Sequence, residues 1–125
     1  MPQFFISAAA TLAGLAVALG AFASHGLKAR LDPHALEIFE TGARYQMYHA
    51  LALLLIGILI SRTTAPANLL NFSGIAFIVG IFIFSGSLYA LSLSGMKILG
   101  AITPIGGAAF LAGWICLAIA GWSYK

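Results

Sequence analysis

The chain alternates between four long apolar runs and three short polar segments. The apolar runs cover approximately residues 4–23, 44–60, 69–91 and 98–122. Helical runs of about 17–25 residues match the roughly 30 Å hydrocarbon core of a bilayer. The pattern therefore predicts a single transmembrane domain, residues 1–125, with four spans. Because short loops favour antiparallel neighbours, we expect an all-α, up-down-up-down four-helix bundle embedded in a membrane.

The second helix is predicted to begin well before its apolar run. Asp32-Pro33 is a helix start signal, with aspartate as the N-cap and proline at the first helical position. The apolar residues that follow recur at three- and four-residue steps: Leu36, Phe39, Ala43 and Met47. We therefore expect an amphipathic start and a helix from Pro33 to about Ile60. Glu40 and Arg44 lie four residues apart, and we predict an ion pair between them at the membrane interface.

The first apolar run is rich in alanine and glycine. Small side chains recur in it at helical spacing: Ala10, Gly14, Ala16, Gly20 and Ser24. Such surfaces let helix backbones approach closely inside a membrane. His25-Gly26 is predicted to end this helix, with the glycine in the left-handed cap conformation.

Composition supports the membrane interpretation. Of the 125 residues, 62% are hydrophobic and only 7% are charged, whereas a soluble domain carries roughly a quarter charged residues. So few charges cannot cover a water-facing surface, and the lipid bilayer is the expected partner. The six basic residues are scattered, which argues against nucleic-acid binding. Cys116 is the only cysteine, so no intrachain disulfide is possible.

The distribution of the basic residues also predicts how the chain is oriented in the membrane. With four spans, both termini lie on one side, together with Arg62 and Lys125. The opposite side carries four basic residues: Lys28, Arg30, Arg44 and Lys97. Loops rich in lysine and arginine tend to be cytoplasmic. The segments 24–44 and 92–97 are therefore predicted to be cytoplasmic, and the termini non-cytoplasmic.

Polar side chains inside the spans gather near one end of the bundle. Antiparallel topology brings eight of them to the side of segment 24–44: His25, Gln46, Tyr48, His49, Ser85, Ser87, Tyr89 and Thr103. One interpretation is hydrogen bonding between helices. The other is a polar funnel for a ligand or ion, centred on His49, because ionisable groups in spans usually face a cavity or the bundle interior.

No pattern of catalytic residues is present. There is no nucleophile-elbow serine, glycine-rich phosphate loop or H-E-x-x-H motif. No carboxylate lies deep in a span to orient His49, and a transition-metal site would normally need three or four close ligands. We therefore predict neither an enzyme nor a metal or cofactor site.

Four segments resemble a known family. Residues 20–28 (GAFASHGLK) resemble the Gly-Ala-Phe-x-x-His-Gly-Leu signature of small multi-span proteins typified by YgdD and YwdK, although Ala23-Ser24 stands where that family has Gly-Ala. Residues 39–51, 84–91 and 100–107, with Gly113-Trp114 beyond them, resemble its later blocks. The resemblance implies an integral protein of about four spans in the bacterial inner membrane or an organelle membrane, and it implies no activity.

Three functional hypotheses follow. The first is a non-enzymatic protein that acts through helix packing, as a homo-oligomer or as an accessory subunit of a membrane complex. The alternative is a small transporter, channel or ligand-binding protein that uses the funnel around His49. An intramembrane enzyme or metal protein is the third and least supported.

Overall fold

The computed structural model describes all 125 residues and consists of four helices without a strand. The helices are α1 (Pro2–Leu27), α2 (Pro33–Arg62), α3 (Asn68–Ser94) and α4 (Leu99–Trp122). Each is long and apolar enough to cross a membrane. Short connections make consecutive helices antiparallel. The predicted all-α four-helix membrane bundle is confirmed.

The start of α2 follows from its sequence. The Asp32 carboxylate accepts a hydrogen bond from the backbone N–H of Ala35 at 2.7 Å, and Pro33 is the first helical residue. An N-cap of this kind satisfies one of the free N–H groups at a helix start. The predicted N-cap is confirmed, and the helix continues as far as Arg62.

The prediction for the end of α1 is wrong. Gly26 lies inside a π-helical turn, Ala23–Leu27, and Gly95, at the end of α3, is the residue with positive φ (73°). A Cβ at Gly26 would lie 2.6 Å from the Phe22 ring. The glycine therefore makes room for that ring and does not cap the helix. A second π-helical turn, Ile81–Ser85, interrupts α3.

The two middle helices form the centre of the bundle. α1 packs along α2, α4 packs along α3, and α2 packs against α3, whereas α1 and α4 share no extensive contact. The core between them contains the fully buried side chains of Phe5, Leu53, Ile56 and Phe77, with Phe110 beside them. This arrangement leaves a lateral groove between α2 and α4 and another between α1 and α3.

Glycines allow the helices to approach closely. A Cβ at Gly106 would lie 2.7 Å from the Phe84 Cα atom, so α3 and α4 are in backbone contact there. Other interior glycines receive an aromatic ring from a neighbouring helix: Gly42 receives Tyr89, Gly74 receives Phe5, Gly80 receives Phe110 and Gly113 receives Phe77. Close packing of this kind is what drives helix association in lipid.

Candidate functional site

Gln46 joins three helices. Its side chain is 4% exposed, and its Nε2 donates to the Leu12 carbonyl of α1 at 2.7 Å. Its Oε1 accepts from the Tyr89 hydroxyl of α3, also at 2.7 Å. The Leu12 carbonyl is an acceptor only, which fixes the orientation of the amide. Gln46 thus acts as a polar bridge across α1, α2 and α3.

Buried hydroxyls of α3 form further bridges. Ser85 donates to the Gly42 carbonyl of α2 at 2.7 Å, and Ser73 donates to the Gly113 carbonyl of α4 at 2.7 Å. Both serines are fully buried. The hydroxyls of Ser87 and Thr103 bond to each other between α3 and α4. In hydrocarbon a polar group needs such a partner, because no water is available.

Both ring nitrogens of His49 have partners inside the chain. The indole Nε1–H of Trp114 donates to Nε2 at 3.0 Å, so Nε2 carries a lone pair. The proton must then reside on Nδ1, which donates to the Tyr45 carbonyl at 2.7 Å. This geometry selects one neutral tautomer, since a protonated Nε2 would point its hydrogen at the indole N–H.

Aromatic rings surround His49, which lies near the middle of α2. Its ring stacks on Phe110, with centroids 3.5 Å apart and planes 8° from parallel, and meets Phe77 edge-on at 5.4 Å. Phe110 lies at the midpoint of α4. His49 is 5% exposed and contributes to the lining of the lateral groove between α2 and α4, a volume of about 490 Å³ that Tyr45 and Trp114 also line. This groove lies on the lateral surface of the bundle.

The structure does not gather the eight predicted polar residues around one cavity. Gln46 pairs with Tyr89, Ser87 with Thr103, Ser85 with a carbonyl and His49 with a tryptophan. His25 is exposed in the π-helical turn of α1. Tyr48 is 54% exposed, and its ring lies edge-on to that of Tyr45 at 5.5 Å. The set is therefore a series of helix-to-helix bonds with two outward-facing members.

The predicted ion pair between Glu40 and Arg44 is not formed. Arg44 donates from Nη2 to the Thr41 hydroxyl at 3.2 Å. Both charged residues line a shallow groove between α1 and α2, next to Ala16 and Gly20. Arg44 is exposed, and an exposed pair gains little over separate hydration of its charges.

Sequence reasoning missed the partner of His49. Trp114 lies well inside α4, whereas tryptophans of membrane proteins concentrate at the interfaces. An indole N–H inside hydrocarbon needs an acceptor, and that requirement could have pointed to the only histidine deep in a span. Ser73 was missed as well, although the same argument applies to its hydroxyl.

The chemistry available to these residues is hydrogen bonding and packing. No group of three or more His, Cys, Asp or Glu side chains is arranged to hold a metal ion. The three acidic residues, Asp32, Glu37 and Glu40, all lie at the start of α2 or just before it. None of them reaches His49, whose Nδ1 bonds to a backbone carbonyl.

Comparison with known proteins identifies relatives over nearly the whole chain. Residues 19–107 match the family model described as "Protein of unknown function (DUF423)". UPF0382 membrane protein SERP0230 of Staphylococcus epidermidis is 50% identical over 118 residues, 94% of each chain. UPF0382 membrane protein SAB0533 of Staphylococcus aureus and UPF0382 membrane protein YwdK of Bacillus subtilis are 45% and 42% identical, each over 98% of both chains.

No solved structure matches this chain. The family match covers most of the chain, and the relatives align from end to end with the same small size. Their names describe membrane proteins, in agreement with the four apolar helices. The chain is a membrane protein that belongs to the DUF423 (UPF0382) family, the family that its four sequence blocks resemble.

Proposed function

We propose that the protein is non-enzymatic and acts by packing an outer helix face against a second copy of itself or against another membrane subunit. The observation that carries this proposal is a contrast between its surfaces. Gln46, His49 and the buried serines bond to other groups of the chain, whereas exposed small residues on one face of α1 are not packed inside the bundle.

The interior leaves little chemistry for a substrate. Gln46 uses its amide nitrogen and its amide oxygen within the chain, and His49 uses both of its nitrogens. His49 has one N–H and one lone pair, so it must break a bond before it can bind a ligand, at a penalty of about 1–3 kcal/mol for the partner left unpaired. Gln46 keeps a second N–H and a second lone pair, but its side chain is only 4% exposed. Stabilising the bundle is therefore the role that these contacts support.

The outer face of α1, in contrast to the bonded interior, carries small residues that are not packed inside the bundle. Ala10, Gly14 and Ala18 are exposed and stand four residues apart, on one side of the helix. A Cβ at Gly14 would meet nothing within 4 Å. Glycine inside a helix is less favourable than alanine by about 0.5–1 kcal/mol. At Gly14 no close contact within the chain compensates for this cost. A small-xxx-small face of this kind suits the close approach of another helix.

Self-association is tested by comparing two glycine substitutions. Gly14→Leu fills the proposed contact face, while Gly121→Leu makes the same change on an exposed part of α4 that also has open space. Each variant carries a fluorescent donor or acceptor, and energy transfer is measured in lipid vesicles over a range of protein densities. We expect Gly14→Leu to weaken association by at least about tenfold, because loss of the close approach removes most of the packing, and Gly121→Leu to behave as wild type.

The accessory-subunit version needs native membranes. A photoreactive residue replaces Ala10 on the proposed face or, as the control, Leu111 on the exposed side of α4. We expect protein crosslinks from position 10 and lipid adducts alone from position 111. A wild-type chain that is monomeric in vesicles and gives no protein crosslink from position 10 would contradict both versions of the proposal.

Ligand binding is the alternative function, and the lateral groove favours it. A volume of about 490 Å³ lies within the roughly 300–1,000 Å³ typical of small-molecule sites. Trp114 lines the groove, and replacing Trp122 with phenylalanine leaves it as the sole tryptophan. Under this alternative, a bound apolar molecule protects Trp114 from quenching by phospholipids with brominated acyl chains. Under the packing proposal these lipids quench Trp114 strongly, since only lipid covers the groove.

A further inference from the structure

A cavity at the cation-rich end of the bundle has a different composition from the lateral grooves. It has a volume of about 720 Å³ and lies where the α1–α2 connection and the first turns of α2 meet the end of α3. Its polar rim includes Arg30, His34 and Lys97. All three residues are exposed, and they lie at or beyond the helix ends, at the level where lipid headgroups would be found.

The charge of this cavity is positive. Asp32 is the only acidic residue that lines it, and its carboxylate caps α2 by accepting the Ala35 N–H at 2.7 Å. Ser94 is also engaged, since its hydroxyl donates to the Ala90 carbonyl at 2.6 Å. Arg30 and Lys97 come from two different connections and border the same space. Together they are suited to an anion, and a guanidinium in particular matches the geometry of phosphate oxygens.

The inner wall of the cavity is apolar. Ile38 of α2 and Leu91 of α3 are half-buried and line it below the charged rim, and Leu31 and Leu93 add to this wall. A free inorganic anion would gain nothing from such a wall. A molecule with a negatively charged head and hydrocarbon chains would match both parts of the cavity, and the bilayer supplies such molecules.

We propose that this cavity binds the headgroup of an anionic phospholipid. Arg30 and Lys97 flank the phosphate, and the acyl chains lie against Ile38 and Leu91. Basic pockets between transmembrane helices bind anionic lipid heads through the same combination of charge and apolar contact. The site would fix the depth of the cation-rich end of the bundle in the membrane.

Native mass spectrometry of the full chain in detergent tests the site. The protein is offered equal amounts of phosphatidylglycerol and phosphatidylcholine with identical acyl chains. We expect the wild type to retain phosphatidylglycerol preferentially. We expect R30Q/K97Q to lose this preference, with binding on the order of tenfold weaker for the loss of two cations. R30K/K97R, which keeps both charges, should retain most of it.

A matched double variant separates a site from general attraction. R62Q/K125Q also removes one arginine and one lysine, but both lie at the opposite end of the bundle. We expect it to bind phosphatidylglycerol as the wild type does, and excess inorganic phosphate to leave the lipid in place. Three results would each overturn the proposal: equal loss in the two glutamine variants, no lipid preference in the wild type, or displacement of the lipid by inorganic phosphate, which would assign the cavity to free anions.

Discussion

Glycines inside the bundle and a glycine on the outer face of α1 serve opposite purposes. At Gly106 a Cβ would overlap the backbone of α3, whereas at Gly14 it would meet nothing within 4 Å. The first glycine is required by a contact that the chain makes with itself. The second has no such contact, although both lie inside transmembrane helices.

This difference indicates that the outer face of α1 is the surface left available for another helix. Lipid tails are as apolar as leucine, so helices in a membrane associate through close packing and hydrogen bonds and not through hydrophobic burial. Inside the bundle both kinds of contact are present. At Gly42, for example, the carbonyl accepts a hydrogen bond from Ser85, and the Tyr89 ring packs over the same glycine. On the outer face of α1 only the small residues are present, and their partner lies outside the chain under the proposed function.

The largest expected change in stability comes from adding a methyl group at Gly106, with the same change at Gly14 as the comparison. Gly106→Ala places a Cβ 2.7 Å from the Phe84 Cα atom, and a backbone cannot move aside as a side chain can. We expect the free energy of unfolding to fall by about 3 kcal/mol, at the upper end of overpacking effects. Gly14→Ala should instead raise it by about 0.5–1 kcal/mol, because alanine is the better helix former and its Cβ meets nothing there. Unfolding by sodium dodecyl sulfate in mixed micelles measures both, and equal effects would remove the distinction between the two glycines.

The next largest effect is expected at Gln46. Gln46→Leu removes bonds to the Leu12 carbonyl and the Tyr89 hydroxyl, and should lower the free energy of unfolding by about 2 kcal/mol, because two partners lose their bonds. Tyr89→Phe removes only one of these bonds. A double-mutant cycle between the two positions should give a coupling energy of about 0.6–1.7 kcal/mol. Strict additivity would show that the bridge does not form in the membrane.

Loss of the indole hydrogen bond to His49 should have a smaller effect. Trp114→Phe keeps an aromatic ring in the groove but leaves the Nε2 atom of His49 without its donor. We expect the unfolding free energy to fall by about 1 kcal/mol, the usual net value of one hydrogen bond. Trp122→Phe is the matched control, since Trp122 is 95% exposed at the end of α4. A similar loss in the control would attribute the effect to ring size and not to the bond.

The smallest effect tests whether a hydroxyl joins helices. Ser85→Ala removes a bond between α3 and α2, whereas Ser24→Ala removes a bond to Gly20 within α1. Bonds between helices in membranes contribute about 0.6 kcal/mol on average, so Ser85→Ala should lower the unfolding free energy by about that amount. Ser24→Ala should leave it unchanged within error, when both are measured by the same detergent titration. The reverse order of effects would contradict the assigned roles.

The sequence predicted the spans and the start of α2, because the signals for these features are local. Hydrocarbon length fixes how many apolar residues a span needs, and Asp32-Pro33 carries its own helix-start chemistry. At Gly26 the local sequence signal was misleading. Glycine often caps a helix, but this glycine lies inside the helix and makes room for the Phe22 ring. The Glu40–Arg44 pair failed for a similar reason: helical spacing permits the contact, but the Thr41 hydroxyl offers Arg44 another partner.

The lateral arrangement of the helices could not be predicted in the same way. In a soluble bundle an apolar stripe shows which face of a helix is buried, but α4 is apolar on all sides, so its rotation has no such signal. The contact between Trp114 and His49 depends on that rotation. The π-helical turn at Ile81–Ser85 also shifts the faces of α3 beyond it, and its residues carry no recognisable signal for such a turn.

The packing proposal requires that Gln46, His49 and the buried serines stay bonded within the bundle. His49 tests it most directly, because a funnel would leave its ring in contact with water or a ligand. Solid-state NMR of the ¹⁵N-labelled chain in lipid bilayers reports which ring nitrogen is protonated and whether water is near it. We expect one tautomer, with the proton on Nδ1, a coupling between Nε2 and the Trp114 indole N–H, and no magnetisation transfer from water to the ring. A protonated Nε2, or rapid exchange of the ring protons with water, would contradict it.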